Sequence, residues 1–160
     1  MILNTQPKQV CIQGLGFVGA AMAVAVASAR ARDGSFLYQV TGVDRDTPQG
    51  RERVESLCCG VFPFPTSDAT LHEALACAHQ AGNLSATTDE SVYESAHVVV
   101  IDVALDIPFW DQQPQLQMTE LEQAVRSIAR RIPEGALILV ETTVPPGTCE
   151  KVLAPVVKEE

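Results

Sequence analysis

Val10-Cys11-Ile12-Gln13-Gly14-Leu15-Gly16-Phe17-Val18-Gly19 reads as a short apolar strand that passes through a glycine turn into a helix. The three glycines have separate tasks in such a turn. Gly14 permits the tight bend out of the strand. Gly16 lets the backbone approach a pyrophosphate with no Cβ in the way, and Gly19 lets the helix pack closely. The following helix would point its free N–H groups and its positive dipole end at the diphosphate. A Gly-x-Gly-x-x-Gly pattern says little by itself, so its context has to come from the rest of the chain.

The context is a strict alternation of strands and helices. Gln9–Gln13 reads as the first strand and Val18–Arg32 as the first helix, dense in alanine and ended by Asp33-Gly34-Ser35. Tyr38–Val43 is the second strand, with Asp44 at its C-terminal end. An acid there accepts hydrogen bonds from ribose hydroxyls and repels a 2′-phosphate, which favours NAD. Arg45, next to it, leaves NADP open, because an arginine at that point can hold a 2′-phosphate. Helical patterns follow over Gln49–Leu57 and Leu71–Ala81, the second capped by Ser67 or Asp68 and ended near Gly82, with Gly60–Pro65 a proline-broken loop between them. Leu84–Thr87 is a third strand, and Thr88-Asp89 caps a brief helix that runs to Ala96. Val98–Ile101 and Ala136–Val140 are uninterrupted apolar runs, as in parallel strands buried between helices. The prolines and polar residues of Ile107–Met118 read as a surface loop able to shield the site, and Thr119–Ile132 as an amphipathic helix. Five strands alternating with helices predict an α/β fold, a doubly wound parallel sheet with helices on both faces.

Composition narrows the partners. With 160 residues, the chain is long enough for one domain with a sizeable core. A 46% hydrophobic content and a mean hydropathy of +0.10 describe a folded chain, not a disordered one. Eleven basic against twenty acidic residues give a net charge of −9, which argues against nucleic acid. No apolar run reaches the roughly 20 residues that cross a bilayer, so no membrane partner is expected. The five cysteines are odd in number and lack metal spacing; with no secretory signature at Met1–Gln9, a reduced cytoplasmic setting is expected. Cys58-Cys59 reads as a pair of partly buried structural thiols. His72 and His79 read as surface or packing residues, and Asp102 and Asp106 as acids flanking a strand end with nothing beside them to complete a metal site. No metal is expected.

Four stretches together resemble the N-terminal domain of the UDP-glucose/GDP-mannose dehydrogenase family. They are Gly14-Leu-Gly16-Phe-Val-Gly19, Gly42-Val43-Asp44, Ala86-Thr87-Thr88-Asp89 and, most specific, the eight contiguous residues Glu141-Thr-Thr-Val-Pro-Pro-Gly-Thr148. The resemblance implies a single NAD-binding domain over 1–160, belonging to a longer enzyme that oxidises the C6 alcohol of a nucleotide sugar to a carboxylate with two NAD. Under it, Phe17 and Val18 offer N–H groups to the pyrophosphate and Asp44 holds the ribose. Arg45 and Arg53 stand beside the cofactor, Val103 lies in the segment near the nicotinamide, and Thr143 supports catalysis by positioning a water or substrate oxygen. Ile101-Asp102-Val103-Ala104 departs from the Val-Pro-Thr-Pro usual in the family, which marks a divergent branch. The family's cysteine nucleophile, with its lysine and asparagine partners, belongs to a part this chain does not contain. Cys149, which starts a helix, is an ordinary residue under the resemblance. The chain is therefore expected to bind cofactor without turnover, and the whole enzyme to be a cytoplasmic homo-oligomer. Two other readings are a standalone nucleotide-binding module without chemistry and a β-hydroxyacid-type dehydrogenase domain; Thr142–Thr148 speaks against the second.

Overall fold

The apolar runs assemble edge to edge because each leaves its backbone groups to be paired and both of its faces to be covered. A computed structural model describes residues 6–105 and 118–160, together with the backbone of 109–110 and 113–114. In chain order the elements are β1 (Lys8–Gln13), α1 (Phe17–Ala27), β2 (Tyr38–Val43), α2 (Pro48–Cys58), α3 (Ala69–Ala81), β3 (Leu84–Thr87), β4 (Val98–Ile101), β5 (Phe109–Trp110), β6 (Gln113–Pro114), α4 (Thr119–Ala129), β7 (Leu137–Val140) and α5 (Ala154–Glu159). A 3₁₀ turn over Glu90–Ser95 precedes β4, and a π-helical turn over Cys149–Leu153 leads into α5. Five parallel strands form one sheet in the order β3-β2-β1-β4-β7. β5 and β6 pair antiparallel as a separate ribbon. The predicted shielding loop at 107–118 otherwise lies outside the described residues, as does Asp106.

Each face of the sheet has its own core. On one, Val10, Ile12, Val40 and Val100 meet the alanines of α1 with Leu57 of α2 and Leu75 of α3. On the other, Cys11, Val43, Val99 and Ile101 meet Tyr93, Leu121, Val125 and Ile128 of α4, and Leu153 and Val156 near the C-terminal end. The 3–4 residue spacing of Leu121, Val125 and Ile128 supplies the single buried stripe of α4. Local capping sets the helix starts. Thr47 accepts from Gly50 N–H at 3.0 Å, and Asp68 from Leu71 N–H at 3.1 Å; Gly82, at φ +70°, ends α3. Of the two caps predicted for α3, Asp68 is the one used.

Several helix and strand ends shift by one to three residues, α4 for instance stopping at Ala129 and not Ile132, and two elements differ in ways that have a tertiary cause. α1 stops at Ala27, not Arg32. Asn83, from the turn before β3, donates to Ala27 O at 2.7 Å, while Ala31 N–H turns away to Ser35 O at 2.9 Å. Asp33-Gly34-Ser35 is thus the tip of a short antiparallel excursion, bridged at Arg30 and Phe36, and not the helix stop. Alanine propensity favoured a longer helix; a distant asparagine claimed its last carbonyl. β7 is the second case. It is an apolar run but also an edge strand, and Leu137 and Leu139 on its α1-side face remain 52% and 40% exposed.

Cys11 is the one buried cysteine, and burial pushes its thiol pKa up to about 11. Iodoacetamide at mildly alkaline pH should label the exposed Cys58, Cys59, Cys77 and Cys149 in the native protein and reach Cys11 only after unfolding, as peptide mass spectrometry will show. Labelling of native Cys11 at the rate of the others would contradict this core assignment. Cys58 and Cys59 were expected to be partly buried; both sit exposed at the end of α2, with Cys58 Sγ 3.3 Å from Ala86 O.

Candidate cofactor site

The site forms where β1 leaves the sheet. Gln13 is paired with Val43 of β2 on one side and Ile101 of β4 on the other. At Gly14 the backbone turns to φ +94°, with its N–H donating to Val43 O at 2.8 Å. A Cβ on Gly14 would lie 2.2 Å from Asp102 O, and one on Gly19 would lie 1.9 Å from Gly14 O. These two glycines are required by the fold itself. Gly16 is different: at φ −61° any residue is allowed, and a Cβ there would meet no atom within 4 Å. The space it keeps clear opens on the cavity. Gly16 is also the N-cap of α1 and provides no side-chain cap. The first-turn N–H groups of Phe17 and Val18 therefore have no intrahelical acceptor and stay available to an anion.

Asp44 follows β2 and is buried, 7% exposed. Its Oδ1 accepts from Arg45 N–H at 2.8 Å, and its Oδ2 pairs with Arg53 Nη1 at 3.2 Å. Arg53, on α2, also lies 5.6 Å over the Phe64 ring. Phe64, Phe62 and Phe17 form a three-ring cluster with centroids 5.4 to 6.0 Å apart, which walls one side of the α1 N-terminus. Arg45 reaches across the cleft to Glu120 at the start of α4, at 3.1 Å. Both arginines near Asp44 are therefore paired with carboxylates.

These groups surround a cavity of about 590 Å³, within the ~300–1,000 Å³ common for small-molecule sites. It is lined by Gln13–Val18, Asp44, Arg45, Arg53, Glu90, Asp102–Ala104, Glu120, Gln123 and Ala124. A second cavity of about 410 Å³ shares Asp44, Arg45 and Glu90 and extends past Asp46, Thr88–Ser91 and Arg131. Behind Gln13, Tyr93 is fully buried and donates its hydroxyl to Gln13 Oε1. Burial, then nearby Glu90, push the Tyr93 pKa up, so it remains a donor. Partial burial, then Glu141, also raise the Asp102 carboxyl.

Of the residues singled out from sequence, Gly14, Gly16, Phe17, Val18, Asp44, Arg45, Arg53 and Val103 line the first cavity. Gly19 lies beneath the turn, against Gly14. Thr143 stands exposed after β7 and outside the lining, whereas its neighbour Thr142 is the anchor: Oγ1 accepts from Val103 N–H at 3.1 Å and donates to Val103 O at 2.9 Å. Sequence reasoning passed over Gln13, Glu90, Phe62, Phe64 and the α4 residues Glu120, Gln123 and Ala124. The Phe-Pro-Phe run was the one local signal among them, since two aromatics between prolines are poor loop residues unless something packs on them. His72 hydrogen-bonds Thr66 O at 3.2 Å and the His79 ring lies under Gly60, both away from the cavity. None of the five cysteines lines the cavity, and Cys149 is exposed at the start of the π-turn. Among the described residues no three His, Cys, Asp or Glu side chains converge as a metal site, and no helix is long and apolar enough to cross a membrane.

A parallel sheet in this order, with a glycine turn at the middle strand and a buried acid on the next, defines a dinucleotide-binding domain. The chain belongs to the UDP-glucose/GDP-mannose dehydrogenase family, whose NAD binding domain matches residues 8–160. It is 29% identical over 153 residues to a UDP-N-acetyl-D-mannosamine dehydrogenase of Methanocaldococcus jannaschii, covering 96% of this chain and 32% of that protein. A UDP-N-acetyl-D-glucosamine 6-dehydrogenase of Pseudomonas aeruginosa is 29% identical over 94% of this chain and 31% of its own. The crystal structure of an NDP-N-acetyl-D-galactosaminuronic acid dehydrogenase from Methanosarcina mazei superposes with a TM-score of 0.83 over 96% of this chain and 31% of that one; at 24% identity it supports the fold alone. The chain spans about a third of the length of these relatives.

Proposed function

We propose that this chain is the cofactor-binding part of a nucleotide-sugar 6-dehydrogenase that oxidises the C6 alcohol of a UDP-N-acetylhexosamine to the carboxylate. NAD, when bound, supplies the hydride acceptor. The chain's own residues bind and orient it: the N–H groups of Phe17 and Val18 and the α1 dipole take the diphosphate, and Asp44 takes the adenosine ribose diol. Arg53 keeps the Asp44 carboxylate in place. Val103 and Thr143 stand on the nicotinamide side, on segments tied together through Thr142. The N-acetylhexosamine is supported by the substrates of its relatives, UDP-N-acetyl-D-mannosamine and UDP-N-acetyl-D-glucosamine. Residues 1–160 act as one domain, the cytoplasmic enzyme works as a homo-oligomer, and its thiol nucleophile is not among these five cysteines; their absence from the cavity supports that reading.

The observation that carries the proposal is the open space at Gly16, a glycine that no contact within the protein requires. Calorimetric titration with NAD tests it. Saturable binding at millimolar NAD, weaker with NADP, is expected; no interaction at that concentration would overturn it.

A further inference from the structure

The register of the sheet places a second acid opposite the first. Gln13 pairs with Val43 on one side and Ile101 on the other, and each of those strands ends one residue later in an aspartate. Asp44 and Asp102 therefore flank the Gly14–Gly16 turn from its two neighbouring strands, and both line the same cavity. Asp44 is supplied with donors by Arg45 and Arg53. Among the described residues no donor reaches the Asp102 carboxylate, although it is partly buried. A methyl group placed at Gly19 would lie 3.1 Å from Asp102 Oδ2, so the carboxylate sits beside the first turn of α1. A dinucleotide has matching symmetry, with a ribose diol on each side of its diphosphate.

We infer that Asp102 is a second ribose-binding acid, accepting hydrogen bonds from the diol of the nicotinamide-side ribose as Asp44 does on the adenosine side. This rests on the NAD-binding reading above. It gives a role to one of the residues at which the chain departs from the family's Val-Pro-Thr-Pro pattern. It also explains how an acid is tolerated close to a diphosphate: the carboxylate faces hydroxyl donors, which repay its proximity to the anion.

ADP and ADP-ribose separate the two ribose sites, since ADP-ribose carries the second ribose and ADP does not. In the wild-type chain ADP-ribose should bind more tightly than ADP. Asp102→Ala should weaken ADP-ribose and NAD by ~10-fold while changing ADP less than about twofold. Asp44→Ala should weaken ADP and ADP-ribose alike. Asp102→Asn, which keeps the size of the side chain, should weaken ADP-ribose selectively but less, and thermal midpoints will show that each variant is folded. Equal changes in ADP and ADP-ribose for Asp102→Ala would overturn the inference: equal tightening would identify Asp102 as a repulsive neighbour of the diphosphate, and no change would identify it as a bystander. Failure of the wild-type chain to bind either ligand would instead overturn the NAD-binding reading beneath it.

Discussion

Gly16→Ala is expected to lower NAD affinity by about 100-fold, or about 2.8 kcal/mol, while leaving the stability of the domain within about 1 kcal/mol of wild type. The two halves of this expectation have different causes. Stability is spared because Gly16 already has an extended conformation open to alanine, and no atom lies within 4 Å of the new methyl. Alanine is a poorer N-cap than glycine, but it also restricts the unfolded chain, and the two effects oppose each other. Binding is lost because Gly16 lines the cavity, and a methyl there keeps the diphosphate from the close backbone approach that the turn allows. Gly19→Ala is the contrast. Its Cβ would have to sit 1.9 Å from Gly14 O, so α1 must move off the turn, an overpacking cost of ~1–3 kcal/mol or more. For a domain of this size that lowers the thermal midpoint by roughly 3–10 °C, and cofactor affinity falls with it. Calorimetric titration paired with thermal melts distinguishes the cases. A Gly16→Ala variant that binds NAD as wild type does would remove the main support for a diphosphate at this turn.

Asp44→Ala is expected to weaken NAD by roughly 10–100-fold, because truncation removes charge-assisted hydrogen bonds to the ribose diol worth about 1.5–3 kcal/mol. NADP should be affected in the opposite direction. Removing the carboxylate ends its repulsion of a 2′-phosphate and also frees Arg53, whose partner at 3.2 Å it is. The NAD-to-NADP preference should therefore shrink by more than NAD affinity falls. Asp44→Asn keeps the shape and one acceptor, and should lie between. Arg45 adds little to NADP binding while it is held by Glu120, but this pair is exposed on both sides and contributes only ~0.2–1 kcal/mol. Equal losses of NAD and NADP in Asp44→Ala would mean that the carboxylate acts by organising the β2–α2 turn, through its bond to Arg45 N–H, and not by reading the ribose.

The agreement between sequence and structure is closest where a local pattern has a local cause. β2, β3 and β4 have the predicted bounds because turn residues delimit each short run, and β4 is also continuously apolar. The caps at Asp68, Gly82 and Asp89 were legible for the same reason, since a capping side chain or a left-handed glycine acts on its immediate neighbours. The end of α1 was not legible. It depends on Asn83, which is 56 residues away from the carbonyl it takes. The Phe17–Phe62–Phe64 wall and the Arg45–Glu120 bridge were hidden likewise, each joining segments that meet only after the sheet has formed.

From the sequence alone came the doubly wound class, the glycine turn with its helix, an acid at the end of the second strand and the family resemblance, all carried by short contiguous stretches. Hydrophobic period, glycine placement and motif spacing are written along the chain, so they need no partner to be read. Only the tertiary structure decided that the fold requires glycine at 14 and 19 and does not require it at 16, because that depends on what a Cβ would strike. It alone placed Thr142, not Thr143, against β4, left one face of β7 uncovered, and set Asp102 opposite Asp44. Those are properties of strand order and register. Neither exists until strands 30 or more residues apart in the chain lie side by side.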